Sequence, residues 1–147
     1  MKVAIASDHT ALPMKEEIKQ LFEELGIEYV DLGADTEERV DYPDYALAVS
    51  EKVVAGEVDR GVVICGTGIG MSIMANKVKG IRCALAHDVF SAKFTRLHNN
   101  SNVLALGQRV IGHGLAREIV QVWLETEYEG GRHERRVVKI AEYETKE

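Results

Sequence analysis

The stretch Gly61-Val62-Val63-Ile64-Cys65-Gly66-Thr67-Gly68-Ile69-Gly70-Met71-Ser72 decides how the chain is read. Val62-Val63-Ile64 is a β-branched run suited to a buried central strand. It stops at Cys65. Gly66, Gly68 and Gly70 then leave backbone N–H groups bare of side chains where a helix begins. Orphan N–H groups and the helix dipole favour an anion at such a place. The same features favour a reactive thiolate at its edge. The stretch therefore predicts one βα unit with an anion cradle and a cysteine at the carboxyl end of its strand.

Outward from this unit the pattern repeats. Lys2 to Ser7 predicts a first strand, and Thr10 caps a helix to about Leu25 with Ile18, Leu21, Phe22 and Leu25 inward. Gly26 ends it, and Glu28 to Leu32 makes strand two. After a charged loop, Gly33 to Asp41, Pro43 opens a second helix with Ala46, Val49 and Val53 inward and Gly56 closing it. Helix three runs to about Val78, strand four from Arg82 to Ala86, and helix four from Val89 to about His98 with Phe90, Phe94 and Leu97 inward. Asn102 to Leu106 is strand five, and His113 to Thr126 is helix five with Leu115, Ile119, Val122 and Trp123 inward.

Five strands alternating with five helices call for a parallel sheet covered on both faces. The expected fold is α/β: a three-layer αβα sandwich, Rossmann-like, with strand order 2-1-3-4-5 (alternatively 3-2-1-4-5) in one domain spanning 1–147. Ligands in such sheets bind beyond the carboxyl ends of the strands at the switch point, here between strands one and three. Asp8-His9 and Cys65 to Gly70 would then face each other across one crevice. After Gly130-Gly131 an extra C-terminal helix is expected from Arg132 to about Tyr143, with Val137, Ile140 and Ala141 at helical spacing. The sandwich is already complete, so residues 130–147 need another surface, either on their own domain or at a subunit interface.

Bulk properties narrow the function. The 147 residues carry a net charge of −6, which does not suggest a nucleic-acid binder, since those usually carry a basic face. No apolar stretch approaches the ~20 residues that cross a bilayer. Met1 to Ile5 runs straight into a strand without signal-peptide anatomy, so the cytoplasm is the expected location. Cys65 and Cys83 form no CxxC pair or metal-ligand cluster, and both are expected as free thiols. No metal or cofactor signature is present, and none is expected.

The glycine loop has G-x-G-x-G spacing after strand three, which is neither the G-x-G-x-x-G dinucleotide pattern nor a Walker loop. A cysteine phosphatase would carry Arg where Met71 stands. Cys65 can act as nucleophile or base. Asp8-His9 reads as a helix cap or, at the switch point, as part of a site. His98-Asn99 reads as a helix end with a dipole complement. It lies at the amino end of strand five, so a catalytic His98 would serve a neighbouring subunit. Arg109, just beyond strand five, can reach the crevice. Arg132 and Arg136 are four apart and share one helix face, a pair suited to a phosphate. Together these groups point to proton transfer next to the carbonyl of a small phosphorylated molecule. The competing class is a flavodoxin-like nucleotide-binding module, which would need aromatic ring stackers absent from these loops.

The chain resembles the ribose-5-phosphate isomerase B family, which includes galactose-6-phosphate isomerase subunits. The resemblance rests on Ser7-Asp8-His9, Asp41-Tyr42-Pro43-Asp44-Tyr45, Cys65-Gly66-Thr67-Gly68-Ile69-Gly70, His98-Asn99-Asn100 through Gln108-Arg109, and Tyr128-Glu129-Gly130-Gly131-Arg132 through Arg136. It implies interconversion of ribose 5-phosphate and ribulose 5-phosphate through a cis-enediolate, with allose or galactose 6-phosphate as alternative substrates. It implies that Cys65 is the base and that the N–H groups of Gly66 to Gly70, Ile69 included, stabilise the enediolate. Thr67, Asp8 and His98 would open the furanose ring. Arg132 and Arg136 would bind phosphate, and His9, Asn99 and Arg109 the rest of the substrate. It also implies a homodimer or a dimer of dimers with sites built from two chains.

Overall fold

The computed structural model describes residues 1–146. In chain order the elements are β1 (Lys2–Ser7), α1 (Leu12–Leu25), β2 (Glu28–Asp31), α2 (Tyr42–Val54), β3 (Arg60–Cys65) and α3 (Ile69–Ala75), followed by β4 (Cys83–Leu85), α4 (Val89–Asn99), β5 (Val103–Gly107), α5 (His113–Glu125) and α6 (Arg132–Glu144). All strand pairs are parallel.

Side chains alternate across a strand, so each strand divides its residues between two cores. Val3, Ile5, Val62, Ile64, Leu104 and Leu106 face one side, where Ile18 and Phe22 of α1 and Ile119 and Trp123 of α5 cover them. Ala4, Ala6, Val63, Val103 and Ala105 face the other, under Ala46 and Val49 of α2 and Met71 and Ala75 of α3. The second face is built from smaller residues, and α2 lies close on it. A Cβ on Gly61 would stand 2.3 Å from Val49 Cγ1.

The sheet order is β2-β1-β3-β5-β4, which corrects the expected 2-1-3-4-5. The reason is burial. All five residues of β5 are buried, whereas β4 has three residues, none buried, and Leu85 is exposed. A short, half-covered strand belongs at an edge, and a wholly apolar one between two neighbours. The exchange leaves the switch point between β1 and β3. It also seats β5 directly beside β3, with Gly107 opposite Cys65.

Local departures have local causes. Asp8, not Thr10, caps the start of the first helical segment, a single 3-10 turn at His9–Ala11 that leads into α1. Its Oδ1 accepts the Thr10 N–H at 2.9 Å and the Thr10 hydroxyl at 2.6 Å. Helix α3 ends at Ala75, short of Val78. On α4, Phe90 is 69% exposed and only Ala92 and Arg96 are buried. Leu115 of α5 and Ile140 and Ala141 of α6 are exposed as well. Among the described residues no helix is long and apolar enough to cross a membrane.

Candidate active site

The cradle forms where β3 stops. Gly68, the residue before α3, has φ +76°, a left-handed conformation that favours glycine. This turn brings the Gly68 N–H to Cys65 Sγ at 3.1 Å. The Ile69 N–H donates to Thr67 Oγ1 at 3.3 Å. Among the described residues, the N–H groups of Gly66, Thr67 and Gly70 donate to no protein acceptor. The loop therefore holds a buried thiol against one donor and keeps three others available. Such donors stabilise an oxyanion where charge develops.

Neighbouring strands close on the loop as the switch-point argument requires. Asp8 N–H donates to Ile64 O at 3.1 Å, which seats the Asp8-His9-Thr10 turn against the end of β3. Gln108 N–H donates to Cys65 O and Arg109 N–H to Gly66 O, each at 2.9 Å. A Cβ on Gly66 would lie 3.6 Å from Thr10 Oγ1 and 3.7 Å from Arg109 Nε. The space over Gly66 is thus bounded by a hydroxyl and a guanidinium. His9 Nδ1 accepts the Val40 N–H at 3.2 Å, which orients its ring from the loop after β2. Asp8, His9, Cys65, Gly66, Thr67, Gly68, Ile69, Gly70 and Arg109 are therefore brought together.

Two further residues belong to this assembly and were missed by the sequence reading. Tyr42, first in α2, packs so closely that a Cβ on Gly70 would meet its ring at 2.4 Å. His87 follows β4, and its Nε2 accepts the Gly107 N–H at 2.9 Å. Burial pushes the His87 imidazole below its ordinary value, with Asp88 opposing the shift. Both contacts run through space between distant elements. Only the position of Tyr42 beside Pro43 at a helix start was a signal.

His98, Asn99, Arg132 and Arg136 lie elsewhere. His98 and Asn99 close α4, next to the amino ends of β4 and β5; the Arg82 side chain donates to Asn99 O at 3.0 Å. Cys65 pairs with Gly107 at the opposite end of β5. That strand alone spans roughly 13 Å at about 3.3 Å per residue. The His98 ring instead stacks on His133 of α6, with centroids 4.1 Å apart and planes 17° apart. Arg132 and Arg136 share this helix. Burial, with His98 next in importance, pushes His133 below the ordinary histidine value. One chain thus carries two separate sets of candidate groups, at opposite ends of its sheet.

A sequence model of the ribose/galactose isomerase family matches residues 3–140. The chain belongs to this family. It is 48% identical over 143 residues to ribose-5-phosphate isomerase B of Escherichia coli, covering 97% of this chain and 96% of that one. It is 44% identical over 148 residues to D-erythrulose-4-phosphate isomerase of Pectobacterium atrosepticum, covering 100% and 97%. Among solved structures, ribose-5-phosphate isomerase B of Clostridium thermocellum superposes with a TM-score of 0.96 at 51% identity, over 98% of this chain and 97% of that one. Likeness over whole chains at such identity shows that the fold is shared.

Proposed function

We propose that the protein is an aldose–ketose isomerase that interconverts ribose 5-phosphate and ribulose 5-phosphate, the isomerisation of the non-oxidative pentose phosphate pathway. The observation that carries this reading is the Cys65 loop, with a thiol held at 3.1 Å by one N–H and three N–H groups unengaged beside it. That is the equipment for moving a proton next to a carbonyl while charge grows on oxygen.

In this reading Asp8, Thr67 and His98 open the furanose, with His98 returning a proton to the ring oxygen. The Cys65 thiolate takes the C2 proton of the open-chain aldehyde. The C2–H electron pair forms the C1–C2 double bond, and the carbonyl electrons move to O1 in the cradle of Gly66 to Gly70. Cys65 then delivers its proton to C1, taken up by the C1–C2 electron pair, while the O2–H electrons form the C2 carbonyl and the O2 proton passes to O1, which leaves the ketose and the thiolate. Arg132 and Arg136 hold the phosphate; His9, Asn99 and Arg109 bind the remaining hydroxyls. No cofactor enters, because the substrate supplies both the electron pair and the proton.

Both sets serve one site if two chains combine. We infer a homodimer, alone or paired into a dimer of dimers, in which His98 and Asn99 of one chain complete the Cys65 crevice of the other. The support is the separation of the two sets and a run of exposed apolar side chains: Ile69, Ile73, Leu85, Phe90, Val138, Ile140 and Tyr143. Helix α6 (Arg132–Glu144), the C-terminal arm, lies within that interface. Because a phosphosugar is charged and retained inside cells, the cytoplasm is its expected place.

The substrate is tested by comparing kcat/KM on ribose 5-phosphate, allose 6-phosphate, galactose 6-phosphate and D-erythrulose 4-phosphate. Ribose 5-phosphate should lead by at least tenfold. A lead by a hexose or tetrose phosphate would move the assignment within the family. A flavodoxin-like nucleotide carrier would turn over none of them.

A further inference from the structure

Away from the Cys65 crevice, three donors converge at the junction of α4 and α6. His98, Glu129 and His133 each present one ligand atom, and these atoms lie within 4.8 Å of one another. Glu129 Oε2 stands 3.8 Å from His133 Nε2. That nitrogen is buried and, among the described residues, has no hydrogen-bond partner, an unusual state for a buried polar atom. The main chain fixes the arrangement: Glu129 N–H donates to Leu97 O at 3.2 Å, tying the linker to the last turn of α4, and His133 N–H donates to Gly130 O at 3.0 Å. The group is not legible in the sequence because His98 lies some thirty residues before Glu129 and His133 and meets them only when α4 and α6 pack.

We propose that His98, Glu129 and His133 bind one zinc-class divalent cation, and that binding withdraws His98 from the reaction and inhibits the enzyme reversibly. Two imidazoles and a carboxylate are a borderline-soft donor set matched to Zn²⁺, with a fourth position left for water. Tetrahedral ligation at about 2.0–2.1 Å places ligand atoms about 3.4 Å apart. From 3.8 Å, closure asks a few tenths of an ångström of Glu129, whose side chain is half exposed. His98 must rotate out of its parallel stack on His133. Its ring is only partly buried, so it has room to turn and gives the ion a way in. Neighbouring Arg132 and Arg136 oppose a cation, so affinity is expected in the micromolar range rather than that of a structural zinc site. The inhibitory half of the proposal rests on the role given to His98 above; the binding half does not.

The test separates the two. ZnCl₂ is titrated calorimetrically into the Cys65→Ser chain, which removes the competing active-site thiol. One ion per chain is expected, with affinity at least tenfold lower after Glu129→Gln and after His133→Gln. Co²⁺ in the same chain should show a d–d spectrum without a thiolate charge-transfer band. Absence of binding, or affinity unchanged in both variants, overturns the site whether or not the chain isomerises sugars. In the otherwise native enzyme, Zn²⁺ should inhibit, EDTA should restore activity, and Glu129→Gln should keep its zinc-free rate while needing at least tenfold more Zn²⁺. Binding without inhibition overturns the regulatory half. An enzyme inactive on every phosphosugar in the absence of zinc overturns the functional reading and leaves the site standing.

Discussion

Gly107→Ala should damage catalysis without contacting substrate. Gly107 ends β5, pairs with Cys65 across the strands, and donates its N–H to His87 Nε2 at 2.9 Å. A methyl group there would stand 2.7 Å from both the carbonyl carbon and the oxygen of Thr67, and 2.8 Å from Val110 Cγ2. Ordinary carbon contacts begin near 3.5 Å, so the deficit is roughly 0.8 Å. Val110 can swing aside. The Thr67 backbone is the cradle itself, and moving it shifts the Gly68 N–H relative to Cys65 Sγ. A displacement near 1 Å at a reacting geometry costs about 10²-fold in rate, or about 2.7 kcal/mol of barrier. Overpacking should remove about 1–3 kcal/mol of stability, which leaves the chain folded. The assay is steady-state isomerisation, with circular dichroism to confirm folding. The expected result is a fall in kcat of about a hundredfold with KM changed far less. Gly114→Ala is the control, because among the described residues no atom beyond its own helix backbone and chain neighbours lies within 4 Å of the added methyl; its kinetics should match the native enzyme. A folded Gly107→Ala chain within threefold of native kcat/KM would refute the claim that loop position governs the rate.

Other expectations are as direct. Arg136→Ala should raise KM for the phosphosugar at least tenfold with little change in melting temperature, because Arg136 is exposed on α6 and a charge-assisted contact is worth about 1.5–3 kcal/mol; unchanged KM would remove its phosphate role. Stability should fall as pH drops below about 6.5, the ordinary histidine value. Burial lowers the folded-state value of His87, so its contribution is complete above the unfolded value and is lost as pH falls through the folded one. Urea melts from pH 5 to 7.5 should show this slope flattened in His87→Gln, which can still accept the Gly107 N–H; an unflattened slope would assign the effect elsewhere. Mixing inactive Cys65→Ala and His98→Ala chains should restore part of the activity through mixed dimers with one intact site. No recovery after demonstrated subunit exchange would place each site within one chain.

Much of this was legible in the sequence because it is local. Val62-Val63-Ile64 followed by alternating glycines identifies a strand, a turn and the cradle, and Asp8-His9 after the first strand identifies the opposite wall. The order of strands four and five was not legible, because it depends on which strand is more deeply covered. Cys83 to Ala86 and Val103 to Leu106 are unbroken apolar runs of four residues each, so run length does not separate the edge strand from the central one. Phe90, Leu115 and Ile140 fit helical stripes and lie exposed, since a stripe reports that a face is apolar and not what covers it. Lys15 shows the opposite failure. It stands three residues before Ile18 and seven before Phe22, on the edge of the apolar stripe of α1, and is 1% exposed, bound to Ala34 O at 2.7 Å and Asp31 at 3.0 Å. The contacts of Tyr42, His87 and His133 arise only when distant elements pack.

In the proposed reaction Cys65 moves the proton between C1 and C2. This role is tested most directly by following ribose 5-phosphate in D₂O by NMR with the native chain and with Cys65→Ala, alongside calorimetric binding of the sugar phosphate to both. The native enzyme should form ribulose 5-phosphate and exchange the transferred hydrogen with solvent, while Cys65→Ala should bind substrate within a few-fold of native and neither isomerise nor exchange it. Near-native exchange or turnover in Cys65→Ala would contradict that role.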